Sequence, residues 1–88
     1  MKIKKGYIKS KAYEGWAVVP VGEESKKNKI MLTLNDTAAE IWDMLCEGKS
    51  KDEMITALKK EYDIPTEQAE KGVTNIIETL LKEGILEE

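Results

Sequence analysis

The chain contains no histidine and no arginine, one cysteine, two prolines and no long apolar run. Each shortage excludes something. Without histidine the commonest general base, the imidazole metal ligand and every histidine-dependent triad are missing. A lone Cys46 cannot close an internal disulfide, which fits a reducing compartment. It falls beside the apolar stripe of the first expected helix and reads as a buried packing residue rather than a reactive thiol. No apolar segment approaches the roughly 20 residues needed to cross a bilayer. Nor are the early lysines followed by the apolar stretch of a signal peptide. These features point to a cytoplasmic protein with no membrane partner. At 88 residues the chain is expected to form a single domain, residues 1–88, with a modest core and little room for an enclosed substrate pocket.

Charge is present in abundance but unevenly placed. Residues 1–35 carry eight lysines against three acids, a balance of +5, whereas residues 36–88 carry six lysines against fourteen acids, a balance of −8. The front of the chain attracts acidic partners, and the rear repels a phosphate backbone.

The basic third reads as strands. Residues 7–13, 16–21 and 29–34 are rich in β-branched and aromatic residues and are separated by turn-like clusters, Glu14-Gly15 and GEESKKN. Three such strands with short connections predict an antiparallel meander. Pro20 donates no backbone hydrogen bond, so it belongs at a strand end or a bulge.

The acidic remainder reads as three helices. The first starts at Asn35 or Asp36, either able to cap free amides, presents Ala38, Ile41, Trp42 and Leu45 at helical spacing, and stops at Gly48. The second opens with the capping box Ser50-Lys51-Asp52-Glu53, and its stripe is Met54, Ile55, Leu58 and Tyr62. After Pro65, Thr66 is placed to cap a third helix with the stripe Ala69, Val73, Ile76, Ile77, Leu80 and Leu81, ending at Gly84. Ile85 and Leu86 can then fold back onto the core. Gly72 interrupts this helix at a cost of about 1 kcal/mol relative to alanine. It is either slack or a place where another backbone comes close.

The run Leu34-Asn35-x-Thr37-Ala38-Ala39-x-Ile41-Trp42-x-x-Leu45 resembles the PqqD family of small peptide-binding proteins, also called RiPP recognition elements. Gly48, the Ser50 to Ile55 box, Tyr62-Asp63, Val73 and Leu80 with Gly84-Ile85-Leu86 extend the likeness over residues 7–87. The resemblance implies an α+β, winged-helix-like fold, a three-stranded antiparallel sheet followed by three helices. It also implies a non-enzymatic peptide chaperone, with no cofactor. Such a protein binds the leader of a ribosomally made precursor peptide and presents its core to a modifying enzyme, often a radical SAM enzyme. The leader adds as a strand to the edge of the third strand and lies beside the third helix.

Carried onto this chain, the strand edge is Lys29, Ile30, Met31, Leu32, Thr33 and Leu34. Ile30, Leu32 and Leu34 are expected to face inward, and Lys29, Met31 and Thr33 outward. At 100° per residue Lys71, Asn75 and Lys82 share an outer face of the third helix, with Gly72 and Thr79 between them and the stripe. An edge strand offers unpaired amides and carbonyls to any extended peptide, so specificity falls to these side chains. With an acidic leader, Lys29, Lys71 and Lys82 are the charge partners. The chain departs from the family pattern at Gly72, where an acidic residue usually precedes the valine, and in the approach Lys29-Ile30-Met31-Leu32-Thr33.

Rival readings are weaker. A winged-helix DNA-binding regulator needs cations on its recognition helix, whereas residues 66–83 carry Glu67, Glu70, Glu78 and Glu83 against Lys71 and Lys82. Without arginine the chain lacks the preferred bidentate reader of guanine. A phosphopantetheine carrier needs a serine at a helix start, and Ser50 is explained by capping. An enzyme would need a glycine-rich phosphate loop, a ligand cluster or a nucleophile beside a base, none of which the sequence presents. The chain is expected to be a monomer or a weak homodimer, the latter using the same strand edge.

Overall fold

A computed structural model describes residues 2–13, 15–27 and 32–87. The elements in chain order are β1 (Lys2–Ile3), β2 (Tyr7–Ala12), β3 (Gly15–Pro20), α1 (Glu24–Lys27), β4 (Leu32–Leu34), α2 (Asp36–Cys46), α3 (Lys51–Tyr62), α4 (Thr66–Lys82) and β5 (Leu86–Glu87). The expected meander is the antiparallel sheet β2-β3-β4, in which Tyr7 faces Pro20 and Trp16 faces Leu34. Pro20 is the last residue of its strand, where its missing N–H costs least.

Two additions were not expected from the sequence. A second antiparallel sheet pairs β1 with β5, Ile3 opposite Leu86 and Lys2 opposite Glu87, and the Lys4 amide donates to the Ile85 carbonyl at 2.8 Å. Two-residue strands carry too little periodicity to read, and this pair exists because Ile85 and Leu86 are buried in the core and bring β5 against β1. The polar connection after β3 contains α1, a single helical turn. Its Glu24 carboxylate accepts a hydrogen bond from the Tyr7 hydroxyl at 3.3 Å.

Strand periodicity directs one face of the sheet inward. Tyr7, Val18 and Leu34 are buried, Trp16 and Leu32 are half-buried against the core, and Ile8 and Thr33 on the other face are exposed. Ile41 and Leu45 of α2, Met54 and Leu58 of α3, and Val73 and Leu80 of α4 complete the interior, with Trp42 buried between sheet and helices. Among the described residues no polar side chain is buried. Tyr62, expected in the stripe of α3, sits at the helix end and is exposed because Asp63 turns into the left-handed region (φ 51°) and ends the helix there.

The helix starts follow their local chemistry with one exception. The Asn35 side chain accepts from the Ala38 amide at 2.8 Å. Ser50 and Glu53 form the reciprocal capping box, at 3.2 Å and 2.9 Å. At α4 the cap position belongs to Pro65, not Thr66, and no side chain caps it. The fixed φ of proline (−61° here) already points the chain into the helix, and Thr66 is the first helical residue.

Cys46 is a further correction. It is exposed rather than buried, because one residue past Leu45 the helix surface has turned away from the core.

Candidate functional site

The connection between sheet and helices builds the candidate site. β4 is an edge strand, joined to β3 on one side and, among the described residues, to no strand on the other. Its last residue, Leu34, is followed by the cap Asn35 and at once by α2, so the open strand edge leads straight into the start of a helix. That passage is held by a close approach. Gly15, with φ +100°, lies so near that a Cβ would fall 2.6 Å from the Leu34 carbonyl oxygen.

Beside this junction the start of α2 and the middle of α4 leave a cleft of about 180 Å³, lined by Asn35, Thr37, Ala38, Ile41, Gly72, Asn75 and Ile76. Gly72, Asn75 and Ile76 are three and four residues apart and so share one face of α4. Ala38, Ile41 and Ile76 make the cleft apolar within, and Asn35, Thr37 and Asn75 bring polar groups.

The expected site residues are distributed as follows. Gly72 and Asn75 line the cleft. Leu34 is buried as core, Leu32 is half-buried and Thr33 is exposed, the alternation expected of them. Lys29, Ile30 and Met31 lie outside the described residues. Lys71 is turned to a neighbouring hollow with Pro65, Glu67 and Gln68, and its ammonium is 3.8 Å from Glu67, both groups exposed. Thr79 and Lys82 are exposed farther along α4, away from the cleft lining. Asn35, Thr37, Ala38, Ile41 and Ile76 were not expected in the site. The sequence assigns Asn35 to a cap and the three apolar residues to core, and no periodicity within one helix reports a gap between two.

Charge around the cleft is not uniform. Hydrogen bonding to Glu40 holds the Tyr62 phenol above its ordinary value, opposed by a hydrogen bond from Thr37. The same Glu40 raises Glu61 through a hydrogen bond between the two carboxyl groups. Thr37, on the cleft wall, therefore stands beside an acidic group of residues joining α2 to α3.

A larger hollow of about 440 Å³ lies at the other end of α2, among Lys2, Ile3, Lys4, Tyr7, Leu45, Cys46, Glu47 and Gly48. Partial desolvation of its sulfur pushes the thiol of the exposed Cys46 up, Asp43 and Glu47 add to this, and Lys9 opposes it. The thiol is accessible but weakly ionised. Among the described residues no cluster of His, Cys, Asp and Glu could hold a metal, and no helix is long and apolar enough to cross a membrane.

No curated protein sequence matches the chain. Two solved structures share its fold. TbiB1 in complex with the TbiA(beta) leader peptide superposes with a TM-score of 0.79 at 21% identity, covering 99% of this chain and 95% of that one. Lasso peptide synthetase B1 complexed with the leader peptide gives 0.76 at 23% identity, covering 96% and 93%. At these identities the likeness is one of fold. The family resemblance read from the Leu34 to Leu45 run is met by the sequence match over residues 17–86, and the chain belongs to the PqqD family, described as coenzyme PQQ synthesis protein D.

Proposed function

We propose that this protein is a leader-peptide adaptor. It binds the leader of a ribosomally made precursor peptide in the cytoplasm and presents the rest of that peptide to a modifying enzyme of the radical SAM or another class. The protein itself performs no catalysis and needs no cofactor. Membership of the PqqD family and a fold shared with two proteins solved in complex with leader peptides support this reading. The observation that carries it is the edge strand β4 opening directly beside the cleft between α2 and α4. Backbone pairing along β4 supplies affinity without regard to sequence, and the α4 side supplies selection. Exposed lysines add little, about 0–1 kcal/mol for each ion pair, and Lys71 already has Glu67 beside it.

Binding of DNA has no support, since Glu67, Glu70 and Glu78 are exposed along α4 and would face phosphates. A proton–nitrogen NMR titration tests the adaptor reading, using a synthetic leader from a short reading frame beside the gene. Shifts concentrated on residues 29–34 and on the Gly72 to Ile76 turn of α4 are expected. A spectrum unmoved by every such leader, but moved by DNA or by protein concentration, would overturn it.

A further inference from the structure

Gly72 stands in the interior of α4, where glycine is unfavourable, and the fold itself gives no reason for it. Its backbone is ordinary helix, outside the positive-φ region that other residues avoid. No other part of the chain crowds it either, since a Cβ built there meets nothing within 4 Å. The space it borders is the cleft beside the end of β4. We propose that Gly72 is a specificity-determining residue that keeps this cleft open for one bulky apolar side chain, of leucine or phenylalanine size, from the peptide strand added to β4.

This inference rests on the adaptor reading and names the chemistry that the site selects. The volume fits, because an apolar cavity of about 150 Å³ is known to admit a benzene ring, and the cleft measures about 180 Å³. The lining fits as well, with Ala38, Ile41 and Ile76 supplying apolar surface. So does the placement. Alternate side chains of an added strand point to the same face of the sheet, and the end of β4 runs into the cleft wall at Asn35. The bare backbone of α4 is what allows such a side chain to reach the floor.

The proposal couples stability and binding with opposite signs. Gly72→Ala should raise Tm by about 4–8 °C, as removal of an unstrained helix glycine does in a domain of this size. The same variant should weaken binding of a fluorescent synthetic leader, encoded beside the gene, by about tenfold in an anisotropy titration, equivalent to about 1.4 kcal/mol. Gly72→Leu should weaken it further while remaining folded. Replacing the peptide's apolar residues one at a time by alanine should reveal one position whose loss is not additive with Gly72→Ala. A more stable Gly72→Ala protein that binds every peptide as well as the parent overturns the proposal and leaves the adaptor reading standing. Failure of the parent protein to bind any encoded leader overturns both.

Discussion

Replacing Gly15 by alanine tests whether the junction between sheet and helices is held by backbone contact. Two costs are expected at this position. The first is conformational, because φ +100° is available to glycine and strained for alanine, at about 1–3 kcal/mol. The second is steric. The new Cβ would lie 2.6 Å from the Leu34 carbonyl oxygen, where ordinary contacts begin at 3.4 Å, and a backbone atom cannot rotate away as a side chain can. β3 and β4 must therefore separate at this end, and overpacking of this kind costs about 1–3 kcal/mol. The sum, about 2–6 kcal/mol, is a large part of the 5–15 kcal/mol typical of a folded domain. Gly22→Ala serves as the control, since its φ is +61° but its Cβ would meet nothing within 4 Å. It should lose only the strain, about 1–2 kcal/mol. Urea denaturation of the two variants and the parent, compared at their midpoints, measures both losses. Equal losses for Gly15→Ala and Gly22→Ala would refute the claim that the Leu34 carbonyl is the obstacle. The leader affinity of Gly15→Ala, measured below its midpoint, should also fall, because Asn35 at the cleft wall follows Leu34 directly.

Three further outcomes follow from the same structure. Lys9 lies 2.7 Å from Asp43 and 4.3 Å above the Trp16 ring, largely covered, so Lys9→Ala should destabilise by about 1–2 kcal/mol in thermal or urea melts. Asp43→Ala loses only the ion pair with its exposed carboxylate and should cost less, about 0.5–1 kcal/mol, diminishing in high salt; equal losses would show that the ring contact contributes nothing. Ser50→Ala should cost about 1 kcal/mol through the lost cap. It should also let the Glu53 carboxyl, held low first by the Ser50 amide and then by its hydroxyl, titrate partway back toward its ordinary value in carbon-detected NMR. Because that carboxyl is depressed in the folded state, its contribution is present above the unfolded value and lost as pH falls through the folded one, so only the carboxyl's share of the difference should fade in acid, while the loss of the Glu53 amide's bond to the Ser50 hydroxyl persists. Cys46, accessible but with its thiol pushed up by partial desolvation and by Asp43, should react with iodoacetamide at pH 8 more slowly than a free thiol, and faster in Asp43→Asn. Alkylation at the rate of a free thiol would refute that account.

The long periodic elements were legible because local rules and tertiary structure agree there. Ala38, Ile41, Trp42 and Leu45 recur at the helical interval and are buried. Asn35 and the Ser50-Glu53 box announce their helices by hydrogen bonds that need nothing beyond neighbouring residues. The errors fall where a residue's fate depends on something outside its own element. Cys46 borders the apolar stripe in sequence, yet the final turn of α2 carries it to the surface. Thr66 has the chemistry of a cap, but Pro65 before it already occupies that place. β1 and β5, some eighty residues apart, are too short to carry a pattern.

The site divides in the same way. Sequence alone singled out Gly72 and Asn75, because a small residue and an outward polar one stand out against a helical stripe. It could not reveal that Asn35, Thr37, Ala38, Ile41 and Ile76 face them across a cleft, since a gap between two helices belongs to neither. What the sequence by itself determined is the three-stranded meander, the three long helices, the caps at Asn35 and Ser50, and the family, all of which rest on spacing along the chain. What only the tertiary structure decided is that α2 and α4 leave room between them beside the end of β4, and which side chains line that space. Those depend on how two independently specified elements pack, and packing leaves no period in the sequence.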